Sequence, residues 1–292
     1  MPPKAVTLED LNRLPPVSFV AAVGETFERA PWVAEAAAAG RPYPTVQALH
    51  EAMMRAVRKA PPDRQLAFIS SHPELGSRVA RADITDASKA EQGSLGLDRL
   101  SAEEFGRFTR LNAAYRAKFG FPFIVCVRRH TRDSILRQFE RRVGNDAETE
   151  RERALDEIGL ITRLRLVALV DGPGMPVTAG RLSTHVLDLT SGRPAAGVRI
   201  ALHEVGSSAR GLLREAVTNA DGRTDAPLIA DEPLRIGSYE LTFDMGGYFE
   251  RQNGAAAFLR RVPVRFSIAE PEGHYHVPLL ATPWSYTTYR GS

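Results

Sequence analysis

An all-α domain over residues 1–170 followed by an all-β sandwich over residues 181–292 is the fold class predicted, on three observations. Apolar residues recur at helical spacing up to about Val170 and at every second position after it. The run Asp171-Gly172-Pro173-Gly174-Met175-Pro176-Val177-Thr178-Ala179-Gly180 carries neither period and is rich in Gly and Pro, so residues 171–180 read as a linker. A length of 292 residues also exceeds the usual single domain and suggests two.

In the first half, helical stretches run from Thr45 to Ala60, from a start near Asp63, from Ser101 to Phe119, from Thr131 to Val143 and from Asp146 to Val170. Ser101 stands three residues before Glu104, the spacing of a capping box, and Gly120 follows Phe119 where a helix would end. In the second half Val198, Ile200 and Leu202 alternate with Arg199, Ala201 and His203. Tyr239, Leu241 and Phe243 form another stripe, and Val262, Val264, Phe266 and Ile268 a third. Pro263 marks the last as an edge strand, because proline cannot donate to a ladder. Asn219-Ala220-Asp221-Gly222 supplies residues that tolerate positive φ and reads as a turn. Near the end Pro278, Leu279, Leu280, Pro283, Trp284 and Tyr286 carry so little charge that the run should be packed.

An apolar content of 43% with 25% charged residues is that of a soluble globular chain, and no apolar run approaches the roughly 20 residues of a membrane span. The start lacks an apolar signal core and Cys126 is the single cysteine, so the expectation is a cytoplasmic protein without disulfides. The sequence pI is about 9.2, yet the net charge is only +3 and arginines alternate with acids, as in Glu150-Arg151-Glu152-Arg153. That pattern describes solvated helix faces rather than a nucleic-acid surface.

Three polar groups in the helical half are out of place. Pro73 pushes His72 out of helical geometry, leaving it at a helix end facing a loop. Glu91-Gln92 lies where helical content runs out into Gly93 and Gly96. Arg165, four residues after Ile161 and seven after Ile158, puts a guanidinium on an apolar helix face. Taken singly, His72 could cap a turn, Glu91 be solvated and Arg165 reach the surface. Taken together, a buried arginine needs a carboxylate or ligand oxygens, and a histidine beside a carboxylate is suited to proton transfer. In order, His72-Pro73-Glu74-Leu75-Gly76, Ser88-Lys89-Ala90-Glu91-Gln92, Leu111-Asn112, Lys118-Phe119-Gly120-Phe121-Pro122-Phe123-Ile124 and Leu164-Arg165-Leu166 resemble the motifs of the OHCU (2-oxo-4-hydroxy-4-carboxy-5-ureidoimidazoline) decarboxylases. The resemblance covers about residues 7–170 and implies an all-α, cofactor-free decarboxylase of urate breakdown. It implies His72 and Glu91 as catalytic, with Pro73, Ser88, Gln92, Arg165 and the backbone around Phe121, Phe123 and Ile124 as substrate contacts. Arg129 stands where that pattern has a glycine. For the chemistry, Arg165 helps most on ring oxygens where charge accumulates, since pairing it with the departing carboxylate would favour the ground state.

In the second half, strand alternation puts His185 with Ser183 and Leu187, and sets His274 and His276 on one face. Three strand histidines also suit zinc, although no carboxylate ligand is obvious, and they could equally fill a polar core. Thr184-His185-Val186-Leu187-Asp188, Ser191-Gly192-Arg193-Pro194, Asn219-Ala220-Asp221-Gly222-Arg223, His274-Tyr275-His276-Val277-Pro278-Leu279 and the terminal Tyr289-Arg290-Gly291-Ser292 resemble the transthyretin-related 5-hydroxyisourate hydrolases. Over residues 181–292 the resemblance implies a transthyretin-like sandwich assembled as a homotetramer, with sites at the dimer interface and no metal. A dimer through the helical domain is a further expectation. The implied catalytic set is His185, Arg223, His276 and Ser292, with His274, Tyr289 and Arg290 in the site. Hydrolysis of a cyclic amide needs a water deprotonated in place and an oxyanion neutralised as it forms, tasks for histidine and arginine. Ser292 offers either its hydroxyl or the terminal carboxylate.

The two resemblances name consecutive steps: 5-hydroxyisourate is hydrolysed to OHCU, and OHCU is decarboxylated to (S)-allantoin. Both intermediates also decay unaided to racemic allantoin, so one chain holding both catalysts would limit loss of stereochemistry. The alternatives are a transthyretin-like small-molecule carrier with an inactive helical partner, and a zinc hydrolase.

Overall fold

The computed structural model describes residues 6–76, 85–96, 100–206, 210–254 and 257–291, with the Asn253 side chain excepted. The chain divides into two compact units, Met1–Arg128 with Ile135–Thr178, and Arg129–Ser134 with Ala179–Ser292. Each has its own apolar core.

Before residue 170 the helices are α1 (Leu8–Arg13), α2 (Pro16–Val23), α3 (Pro31–Ala38), α4 (Val46–Lys59), α5 (Pro62–Ser70), α6 (Asp86–Gly93), α7 (Ala102–Phe119), α8 (Arg132–Arg142) and α9 (Ala147–Leu169). Their ends follow local chemistry. Thr45 accepts from the Ala48 amide and Asp146 from the Thr149 amide, capping α4 and α9. Ser101 and Glu104 complete the reciprocal capping box of α7, which stops at Gly120 with φ at +79°. Leu49, Met53, Phe68, Tyr115 and Phe139 share one buried apolar core with Ala154, Leu155 and Ile158 of α9. Arg129 closes a short 3-10 turn, Val127–Arg129. Among the described non-glycine residues only Arg29 and Asp231 have positive φ, so the turn at Arg129 does not need the glycine.

Two features depart from expectation here. A two-residue ladder joins β1 (Val6–Thr7) in parallel to β2 (Val170–Asp171), so the helical unit carries a scrap of sheet. The stretch read as linker is also bound over its first part. The Val46 and Gln47 amides, orphaned at the start of α4, donate to the Pro173 and Gly174 carbonyls at 3.0 and 3.1 Å. A Cβ at Gly172 would lie 2.8 Å from Leu8, so the close seating depends on glycine.

The second unit is a two-sheet sandwich of β3 (Gly180–Asp188), β4 (Arg193–Pro194), β5 (Arg199–Val205), β6 (Arg210–Val217), β7 (Ile229–Glu232), β8 (Gly237–Asp244), β9 (Arg261–Ile268), β10 (His274–Ala281) and β11 (Tyr286–Thr288). One sheet runs β11-β10-β3-β4 with β7 also on β3, and the other runs β6-β5-β8-β9. Pro263 accordingly sits on an edge strand. The expected stripes form the core, with Ile200, Leu202, Leu241, Phe243, Val262 and Val264 buried. An unforeseen helix, α10 (Met245–Asn253), is capped by Asp244, ends at Gly254 with φ at +67° and buries Tyr248 and Phe249. The terminal run is a second departure. Leu279 and Ala281 are buried, but Trp284 and Tyr286 stand 67% and 43% exposed in the single chain.

Two details position side chains. Strands β3 and β10 pair in parallel with Ser183 opposite His276 and His185 opposite Pro278. The turn after β6 closes through the Gly222 amide on the Asn219 carbonyl, with Gly222 at φ +71°. A Cβ there would fall 2.3 Å from the Val186 carbonyl oxygen, so only glycine lets the turn lie against β3, bridging Arg223 to His185.

Candidate active sites

In the helical unit His72, Pro73, Ser88, Glu91, Gln92, Phe123, Ile124 and Arg165 line one cavity. Phe121 does not; its ring packs against Tyr115 and Phe119. His72 follows the end of α5 and is 6% exposed. Its Nδ1 lies 3.1 Å from the Phe68 carbonyl. A carbonyl only accepts, so Nδ1 carries the hydrogen and Nε2 keeps its lone pair. Burial pulls the His72 pKa down to about 4, against a smaller opposing pull from Glu28, so the ring is neutral at physiological pH.

Arg165 reaches the cavity from α9 and does not run to the surface. Its Nε and Nη2 donate to the two Glu91 carboxylate oxygens at 2.9 and 2.8 Å, Nη1 donates to Glu28 at 3.0 Å, and Nη2 donates to Ser88 Oγ at 3.1 Å. Burial alone would lower the Arg165 pKa, but the bonds to Glu91 and Glu28 outweigh it and raise it. Four hydrogen bonds to protein oxygens thus engage the guanidinium, which also lines the cavity. The two bonds to Glu91 fix that carboxylate in the cavity wall.

Glu28 is the site residue that the sequence reading missed. It is 2% exposed and accepts from Thr85 Oγ1 at 2.8 Å and Ser88 Oγ at 3.0 Å besides Arg165. Burial raises its pKa, yet the donors Thr85, Arg165 and Ser88 prevail and lower it, so the carboxylate stays ionised. The available signal was the arginine itself: a guanidinium on an apolar face demands more than one acceptor, and Glu28 sits in the aromatic setting Phe27 to Trp32. Gln92 ties the loop after His72, accepting from the Gly76 amide at 3.3 Å and donating to the Glu74 carbonyl at 3.4 Å. The wall opposite is fixed from behind. Arg142 donates to the Ile124 carbonyl at 2.8 Å and the Cys126 amide donates to Glu157 at 2.9 Å.

In the β unit Arg223, His274 and His276 line a cavity of about 240 Å³, together with Arg181, Ser183 and Asp225. Ser183 Oγ sits between the two histidines of β10, 3.2 Å from His274 Nε2 and 3.0 Å from His276 Nδ1. His185 lies beside the cavity, bridged to Arg223, and its buried Nε2 has no hydrogen-bond partner among the described residues. Burial first, and then the Arg223 charge, lower the pKa of both His185 and His276, favouring neutral imidazoles. At the chain end the Gly291 amide donates to the His276 carbonyl at 2.8 Å. Tyr289 and Arg290 do not line the cavity. Tyr289 is exposed, and Arg290 lies 4.5 Å over the Tyr275 ring and 3.6 Å from Glu270. Ser292 lies outside the described residues. Among the described residues no group of three or more His, Cys, Asp or Glu side chains is arranged to hold a metal ion.

A helical cavity pairing a neutral histidine with an arginine-bound carboxylate, joined in one chain to a sandwich cavity of histidines and arginine, defines a two-site fusion protein. The chain belongs to the OHCU decarboxylase family over residues 12–167 and to the HIUase/transthyretin family over residues 182–291. It is therefore a fusion of an OHCU decarboxylase domain with a 5-hydroxyisourate hydrolase domain. Among curated relatives, the 2-oxo-4-hydroxy-4-carboxy-5-ureidoimidazoline decarboxylase of Haloferax volcanii is 47% identical over 161 residues, 55% of this chain and 94% of that one. The 5-hydroxyisourate hydrolase of Deinococcus radiodurans is 56% identical over 113 residues, 38% of this chain and 95% of that one. A crystal structure of (S)-allantoin synthase matches 98% of this chain and all of its own, at 36% identity and a TM-score of 0.51.

Proposed function

We propose that the β unit hydrolyses 5-hydroxyisourate to OHCU and that the helical unit decarboxylates OHCU to (S)-allantoin, neither step using a cofactor. In OHCU a hydroxyl and a carboxylate share carbon 4. His72 Nε2, holding a lone pair in a neutral ring, takes the hydroxyl proton as the carbon–carboxylate bond breaks. The electrons released form a carbon 4–carbon 5 double bond and push those of the carbon 5–nitrogen double bond onto the ring nitrogen, which takes a proton from solvent. CO2 leaves, and His72 returns its proton to one face of carbon 5, which leaves a carbonyl at carbon 4 and sets the configuration. Glu91, clamped on both oxygens by Arg165, faces the substrate as a fixed acceptor, with Ser88, Gln92, Pro73 and the Phe123–Ile124 wall completing the pocket. In the β unit His276 and His185 hold and deprotonate the attacking water, and Arg223 meets the oxyanion. Tyr289, Arg290 and Ser292 complete that site in an assembly, where exposed Trp284, Tyr286 and Tyr289 offer an apolar surface to a second copy. A homotetramer through the β unit in the cytoplasm is the proposed setting, consistent with a lone buried cysteine.

The observation that carries the reading is the paired set of clusters: a neutral His72 with Arg165 and Glu91 in one cavity, the arginine braced by Glu28, and His276, His274 and Arg223 around another. Freshly generated 5-hydroxyisourate should be consumed by the protein and appear as (S)-allantoin, followed by circular dichroism. His72→Gln should leave that consumption intact while OHCU accumulates and decays to racemic product. Racemic allantoin from the unaltered protein would overturn the decarboxylase half, and unaccelerated consumption of 5-hydroxyisourate the hydrolase half.

A further inference from the structure

We propose that Ser183 is a proton relay between His276 and His274 that resets the hydrolytic base during each turnover. This inference rests on the hydrolase reading of the β unit. Parallel pairing of β3 with β10 puts Ser183 level with His276, and its Oγ lies 3.0 Å from His276 Nδ1 and 3.2 Å from His274 Nε2. A hydroxyl has one hydrogen to give and two lone pairs to offer, so it can accept from one imidazole while donating to the other. With Nδ1 of His276 committed to Ser183, Nε2 is the nitrogen left for the attacking water.

The proton balance closes over the two halves of amide hydrolysis. As water oxygen bonds to the carbonyl carbon, its proton goes to His276 Nε2. The Nδ1 hydrogen then passes to Ser183 Oγ while the Ser183 hydrogen passes to His274 Nε2. His274 is exposed and gives up its Nδ1 hydrogen to solvent, so no cation is left beside Arg223. When the carbon–nitrogen bond breaks, His276 Nε2 gives its hydrogen to the departing nitrogen. The chain then runs backward, His274 regaining a proton from solvent and His276 Nδ1 recovering its hydrogen through Ser183. The relay has a physical motive in the charge around His276: burial and the Arg223 guanidinium both disfavour a lasting imidazolium.

The test uses the full chain with freshly generated 5-hydroxyisourate, comparing Ser183→Ala and Ser183→Thr with His276→Gln as the reference for a lost base. Ser183→Ala should lower kcat about 10- to 100-fold, within the range for losing a proton-transfer partner, with KM changed less than about twofold. Threonine keeps the hydroxyl on a strand position that favours β-branched side chains, and Ser183→Thr should retain most of the rate. In mixtures of H2O and D2O, kcat of the unaltered protein should fall along a curve, as several protons move together, and that of Ser183→Ala along a straight line. A Ser183→Ala rate within twofold of the unaltered protein, or a threonine variant as slow as alanine, overturns the relay. If the unaltered protein is no faster than His276→Gln, the hydrolase reading itself fails and the relay falls with it. If His276→Gln alone is slow, the reading stands and the relay does not.

Discussion

Glu28 shows how much one carboxylate decides. Among the described residues its oxygens accept from Thr85 Oγ1, Ser88 Oγ and Arg165 Nη1. Glu28→Gln keeps the volume but turns one acceptor into an NH2 group aimed at those donors. We expect decarboxylation to fall on the order of a hundredfold as Arg165 and Glu91 lose their alignment, with a stability cost of up to about 3 kcal/mol because Glu91 still pairs the arginine. Unchanged allantoin formation by that variant would make Glu28 a bystander. In the other site Gly291 abuts His276, where a Cβ would sit 2.6 Å from the ring Cδ2. Gly291→Ala should therefore displace the imidazole and slow 5-hydroxyisourate hydrolysis at least tenfold, leaving the decarboxylation of supplied OHCU untouched; equal loss of both would point to general misfolding instead. At this scale the sequence made His72, Glu91, Arg165 and the strand histidines legible because each breaks a local pattern. Glu28 and Ser183 break none. A glutamate in a loop and a serine on a half-buried strand look ordinary until Arg165 and β10 arrive from more than 90 residues away.

Between elements, α4 and α9 are joined by a buried polar contact, His50 Nε2 to Thr162 Oγ1 at 3.0 Å. Burial first, and then the Arg163 charge, pull the His50 pKa down to about 4. Its folded pKa is depressed, so between about 4 and 6.5 the unfolded chain binds the proton that the folded chain refuses. Stability is complete above pH 6.5, falls as the pH drops through that window, and levels off below about 4. A pKa held near 4 rather than 6.5 corresponds to about 3 kcal/mol, and buried His72 adds a term of the same sign. Denaturant midpoints read from Trp32 fluorescence in a Trp284→Phe background should fall between pH 6.5 and 4. His50→Gln should remove part of that slope; an identical slope would show that carboxylates alone carry the acid sensitivity. Helix positions were legible because caps and period agree, from Thr45, Ser101 and Asp146 through Gly120. The β1–β2 ladder and the seating of Asp171 to Gly174 were not. Two-residue strands have no period, and a Gly/Pro run looks the same whether it is free or lies in a groove its glycines fit.

The two cores share no residue among the described positions, and each cavity is lined within its own unit. Fragments 1–178 and 179–292 should therefore each keep one activity, with the second less stable than in the whole chain because it lacks Arg129–Ser134, whose Thr131 amide donates to the Ile236 carbonyl. The first should end at 178 rather than 170, since the shorter piece loses the Pro173 and Gly174 carbonyls that cap α4, at about 1 kcal/mol each. The fusion then acts by stoichiometry. Enzyme turnover commonly takes about a millisecond to a second. A small molecule released from one site diffuses far beyond the dimensions of a protein in that time, so covalent linkage adds little once both catalysts are present in equal amount. An equimolar mixture of the two fragments should accordingly convert 5-hydroxyisourate at the rate of the intact chain, with the same lag before allantoin appears and the same (S) excess. A shorter lag or a higher (S) excess for the intact chain at matched concentration would mean that OHCU passes between the sites before it escapes. In that case the chain joining them does more than equalise dose.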